Sequence, residues 1–177
     1  MKDIIRIKSM ISADVEMLLN QQIKKEAYSS SVYLGMASWC DRNRFDMSAD
    51  YFFKQAEEER HHQLKFFKYV LDMGGSAVSP EVTNIKNEYN SFRDVFEEAL
   101  EQEVNITQSI KNIAARCQKE QDFVTLEFLN WFFKEQREEE YKARRALELF
   151  DVIGEEGTGR WEIDKHVGKI SYTSETE

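Results

Sequence analysis

Apolar residues recur every three or four positions through four long stretches, roughly 12–40, 47–74, 92–118 and 122–150. That spacing predicts four amphipathic helices. The first carries Leu19, Ile23, Glu26, Ser30, Tyr33 and Ala37 on one seam, and the second carries Phe52, Gln55, Glu59, His62, Phe66, Tyr69 and Met73. The third lines up Phe96, Ala99, Glu103, Ile106, Ile110 and Ile113, and the fourth Leu129, Phe132, Gln136, Glu139, Ala143, Ala146 and Phe150. Seams of this kind are the inward faces of an all-α bundle. Each also holds a glutamate, where a core ordinarily excludes one.

The breaks between helices set the connectivity. Asp41 to Asp46 and Lys119 to Asp122 are short polar links, so the first and second helices form one antiparallel hairpin and the third and fourth another. Asp46 or Ser48 is the expected cap of the second helix. Gly74-Gly75 ends that helix, and Ser79-Pro80 keeps the chain out of helix afterwards. Gly74 to Ser91 is too long for a tight turn. Extended at about 3.3 Å per residue it reaches about 60 Å, whereas a helix of this length spans about 42 Å. It is therefore expected to cross the bundle from end to end and make the second and third helices parallel. After the glycines at 154, 157 and 159, a short fifth helix is expected at about 160–168, followed by a frayed polar tail. The chain thus reads as one domain over 1–177, a four-helix bundle over about 12–150 with one long crossover and a C-terminal fifth helix.

Composition narrows the chemistry. The net charge of −9 leaves no basic stripe for phosphates and argues against nucleic acid as a partner. No apolar run reaches membrane-spanning length, and Met1 to Ser12 holds no continuous apolar stretch of the kind a secretory leader needs. Cys40 and Cys117 read as reduced thiols of a cytoplasmic protein. Under the antiparallel topology they lie about 40 Å apart at about 1.5 Å per residue, too far for a disulfide.

A single ruler then organises the seam carboxylates. Glu59 and His62 form an E-x-x-H pair, and Glu26 lies 33 positions before it. Glu103, Gln136 and Glu139 repeat that spacing at an offset of 77 positions, as does Cys40 with Cys117. An ionised carboxylate buried alone is costly. Lys and Arg sit off the seams, at Arg60, Lys65, Arg137 and Lys142, so bound cations are the expected compensation: four carboxylates balance two divalent ions. Oxygen donors with one imidazole suit iron or manganese. Tyr33 lies on the same face, either as a hydrogen-bond or electron donor to the site or as an ordinary core tyrosine. Glu58, Glu135 and Glu138 flank the seam residues, as a further metal position or as a solvated acidic face. Trp131 is expected to pack in the core beside the site, and His61 and His166 to be exposed.

At these residues the chain resembles the ferritins, closest to the bacterial non-haem type. The resemblance lies in Glu26-Ala27-Tyr28-Ser29-Ser30 with Tyr33, Ala37-Ser38-Trp39-Cys40, Glu58-Glu59-Arg60-His61-His62, Glu103 with Ile106-Thr107-Gln108, Phe128-Leu129-Asn130-Trp131 and Glu135-Gln136-Arg137-Glu138-Glu139-Glu140. It implies a ferritin-like fold and a homo-oligomeric 24-subunit hollow shell. That shell oxidises Fe(II) with O2 or H2O2 at an intrasubunit ferroxidase centre and stores ferric mineral. It implies a first iron on Glu26, Glu59 and His62, and a second on Glu59, Glu103 and Glu139 with Gln136 close by. A third position would use Glu58, Glu135, Glu138 and Glu139. Haem is not implied: bacterioferritin would have E-x-x-H in both halves and a methionine after the bridging glutamate, where Gln136-x-x-Glu139 and Arg60 stand. Rubrerythrin would add a C-x-x-C iron domain, which this sequence lacks. Two other functions fit the same seams: a peroxide-scavenging di-iron enzyme without storage, and a structural bundle whose acidic seam only specifies pairing.

Overall fold

The computed structural model describes residues 8–173. The first seven residues, which bear on the expected lack of a leader, and the end of the expected frayed tail lie outside the described residues. Five helices follow one another: α1 (Ala13–Arg42), α2 (Asp46–Asp72), α3 (Phe92–Glu120), α4 (Phe123–Ile153) and α5 (Gly159–Val167), with no strand among the described residues. The expected four-helix bundle and short fifth helix are both present, with boundaries shifted by up to three residues.

The crossover from Gly74 to Ser91 contains no helix and runs back along α1. Asn20 donates to the Ser76 carbonyl and accepts from the Val78 amide near the start of α1. Arg42, at its far end, donates to Glu88 and to the Asn87 carbonyl. Midway the loop lies against Gly35, where a Cβ would stand 2.6 Å from the Lys86 carbonyl oxygen, so only glycine admits this approach. Asp14 pairs with Arg116 and Lys25 bonds Ser109, which sets α1 antiparallel to α3 and therefore α2 parallel to α3.

Capping of α2 departs from expectation. Neither Asp46 nor Ser48 caps it, and Phe45 at the cap position provides no side-chain bond. The acceptor is Asp164 of α5, which takes the Met47 amide at 3.2 Å and the Ser48 amide at 2.8 Å. The other three long helices have local caps, Ser12, Ser91 and Asp122.

The interior divides into two apolar clusters. One gathers Tyr33, Met36, Cys40, Phe52, Phe96, Ala146 and Phe150 with Ile163 and Val167 of α5. The other gathers Leu19, Ile23, Phe66, Val70, Ile110, Cys117, Leu129 and Phe132. Cys40 and Cys117 are free and buried in separate clusters. Between the clusters lies a layer of buried polar side chains. No described helix is long and apolar enough to cross a membrane.

Candidate metal centre

The polar layer is built from the residues that interrupt the apolar seams. Glu26 of α1 and Glu59 and His62 of α2 are all buried, and one donor atom from each lies within 4.8 Å of the others. The E-x-x-H spacing brings both α2 side chains to one face of the helix, with His62 Nδ1 3.7 Å from Glu59 Oε2. The imidazole is held edge-on against Trp131 and Phe132, at ring separations of 5.5 and 5.8 Å. Trp131 is 37% exposed and forms an outer wall over His62 instead of the expected core packing, with the Lys65 ammonium over its ring.

Glu103 of α3 stands on the opposite hairpin. Its Oε1 accepts from the Tyr33 hydroxyl and its Oε2 from Gln136 Nε2 at 3.0 Å. Tyr33 is therefore both a core residue, stacked on Phe52, and a donor to the site. Glu139 of α4 accepts from Gln55 Nε2 at 2.6 Å and from Lys142 Nζ at 3.1 Å. Lys142 also reaches Glu138 at 2.8 Å and Glu58 at 3.9 Å. The expectation that no cation reaches the seam is thereby corrected: the long stem of Lys142 carries its charge inward from an off-seam Cα. Glu135 is half-buried and makes no side-chain hydrogen bond or ion pair among the described residues. His61 and His166 are exposed, as expected.

Two buried glutamines were not assigned a role from the sequence. Gln22 Nε2 donates to Glu26 Oε1 at 2.8 Å, and Gln55 steadies Glu139. Each lies four residues before a seam glutamate, and the two are 33 positions apart on the same ruler. That repetition was the available signal.

The electrostatics follow from burial. Desolvation, and then the nearby Glu59 charge, push the Glu26 carboxyl well above the usual range. Desolvation and Glu103 do the same to Glu59. Burial raises Glu103 as well, against the opposing hydrogen bonds from Tyr33 and Gln136. Glu139 is pushed up to about 8 by burial, although Lys142 opposes the shift. Glu26 Oε2, both carboxylate oxygens of Glu59 and Gln136 Oε1 are buried without a hydrogen-bond partner. Buried oxygens are rarely left bare. The three on Glu26 and Glu59, beside the His62 imidazole, form a donor set that fits an oxygen-preferring transition metal such as iron.

The chain as a whole is similar to known proteins. The ferritin-like domain family matches residues 16–153. A probable bacterial non-heme ferritin-like protein of Haemophilus influenzae is 36% identical over 92% of this chain and 98% of its own. A bacterial non-heme ferritin of Campylobacter jejuni is 35% identical over 92% and 97%. Among solved structures, an open pore ferritin from the hyperthermophilic archaeon Archaeoglobus fulgidus superposes with a TM-score of 0.87 at 34% identity, covering 91% of this chain and 99% of that one. With relatives matched over nearly their whole length and a polar layer at the residues that interrupt its seams, this chain belongs to the ferritin family.

Proposed function

We propose that the chain is an iron-storage ferroxidase of the cytoplasm: it takes Fe(II) as substrate, oxidises it, and holds the ferric product inside a shell of its own copies. The observation that carries this reading is the group of bare, buried oxygens on Glu26 and Glu59 beside His62. Glu26, Glu59 and His62 would hold one ferrous ion. Glu59, Glu103 and Glu139, with Gln136 alongside, would serve a second. Two ferrous ions give up one electron each; dioxygen takes both with two protons to become peroxide, or peroxide takes both with two protons to become two waters.

The protein's part is to bring two like-charged ions together. Its seam carboxylates offset their repulsion in a layer closed above and below by apolar side chains, where electrostatic interactions are strengthened. Carboxylate donors favour the higher charge of the ferric product, which drives oxidation forward. Tyr33 and Gln136 fix the orientation of Glu103, and Gln22 fixes that of Glu26.

Ferrous iron added to the metal-free protein under air, with oxygen uptake recorded, tests the reading. Wild-type protein is expected to oxidise iron much faster than buffer, and Glu26→Ala and His62→Ala to assemble normally but lose most of that acceleration. Oxidation no faster than in buffer would overturn the proposal. Loading with excess iron separates storage from peroxide scavenging: a storage shell retains far more iron than its centres can bind, a scavenger does not.

A further inference from the structure

Beyond the Glu26, Glu59 and His62 group, the densest charge cluster gathers around Lys142. Its ammonium lies 2.8 Å from Glu138, 3.1 Å from Glu139 and 3.9 Å from Glu58. An ammonium has three N–H donors and no acceptor, and three carboxylates face it from α2 and α4. The lysine side chain and Glu139 are mostly buried, so this one contact is poorly screened by solvent, whereas Glu58 and Glu138 are partly exposed. Two of the three acids sit three and four residues before it on its own helix, the spacing that brings side chains together on one face. A cavity of about 470 Å³ opens from solvent onto Glu58 and Lys142, with Tyr51, Gln55 and His61 on its walls. A cation thus has a way in to Glu58, and a cation covalently attached to the chain already stands between it and Glu138 and Glu139.

We propose that Lys142 determines how many metal ions this chain binds: its ammonium fills the position that a third ion would take among Glu58, Glu138 and Glu139, and limits the centre to a pair. This rests on the reading of Glu26, Glu59, His62 and Glu103 as the paired-metal site. A third ion would need the same carboxylate oxygens that accept from the ammonium. It would also stand beside a fixed positive charge, and like charges repel at close range. Glu139 illustrates the competition: the Oε1 that an outer ion would need accepts from Lys142. Glu57, on the cavity wall, and Glu135, half-buried nearby, make no ion pair with Lys142.

Zinc, which undergoes no redox change, is the probe. Equilibrium dialysis of the assembled protein gives the number of ions per chain, and anomalous diffraction at the zinc edge gives their positions. Wild-type protein is expected to carry zinc at Glu26, Glu59 and His62 and none between Glu58 and Glu138. Lys142→Met keeps the length of the stem and removes the charge. It is expected to gain one zinc ion per chain at Glu58, Glu138 and Glu139. A zinc peak there in the wild type, with Lys142 swung aside, would overturn the proposal; so would folded Lys142→Met that gains no ion. Lys142→Gln, which also removes the charge and keeps a polar stem, repeats the test with the same expected gain should Lys142→Met fail to fold. Absence of zinc from Glu26, Glu59 and His62 in both proteins would sink the paired-metal reading, and the outer position would still report on Lys142.

Discussion

A single buried hydroxyl links the apolar core to the chemistry. Tyr33 stacks on Phe52 and donates to Glu103, so removing only its oxygen separates the two roles. Tyr33→Phe keeps the ring and leaves one Glu103 oxygen without its donor. Unfolding of the metal-free protein in urea is expected to require about 1–3 kcal/mol less, the cost of leaving a buried polar group without its hydrogen-bond partner. Tyr28→Phe, at a tyrosine 39% exposed, is the control and is expected to change nothing. An unchanged stability in Tyr33→Phe would make the tyrosine a core ring only. At this scale the burial of Glu26, Glu59, His62 and Glu103 was legible, because each falls on an apolar seam. The parts played by Gln22 and Gln55 were not, since a buried amide carries no charge to betray it. Lys142 was missed because helical periodicity places the Cα, whereas a four-carbon stem places the charge.

Helices were legible wherever their own residues decide them. The seams fixed α1 to α4 within a few residues, and Ser12, Ser91 and Asp122 cap locally. The start of α2 was not legible, because its acceptor lies 116 positions further on. Asp164 is 6% exposed and satisfies two amides that would otherwise face the interior without partners. The fifth helix thus acts as the cap of the second, and Ile163 and Val167 fix it against the same apolar cluster. Asp164→Ala is expected to lower stability by about 0.5–2 kcal/mol, as loss of an N-cap does. Asp164→Asn, which keeps an acceptor oxygen, is expected to retain most of it. Hydrogen exchange at the Met47 and Ser48 amides reads the local effect: it should quicken in the alanine variant and stay slow in the asparagine one. Equal exchange in all three proteins would mean that α2 does not depend on α5.

The molecule as a whole is a pair of apolar clusters separated by a layer of acids, and that layer sets how stability varies with pH. Burial holds the carboxyls of Glu26, Glu59 and Glu103 above their ordinary range and brings Glu139 to about 8. Folded protein without metal therefore keeps protons that the unfolded chain has released. The stabilising contribution of such a group is complete below its unfolded pKa, near 4.5 for Glu139, and is lost as pH rises through its folded value of about 8. Each group contributes a slope of up to about 1.4 kcal/mol per pH unit within its own window. Chelator-treated protein is accordingly expected to melt at lower temperature as pH rises from about 5 to about 8, the reverse of ordinary acid denaturation. Saturating zinc should flatten this dependence, because a divalent ion replaces the protons and stabilises the native state by mass action. Calorimetric melts at constant ionic strength, with and without zinc, check both halves. A metal-free protein whose melting temperature instead climbs across that interval would mean the seam acids are ionised and compensated without metal. Bound iron would then not be needed to compensate the seam acids.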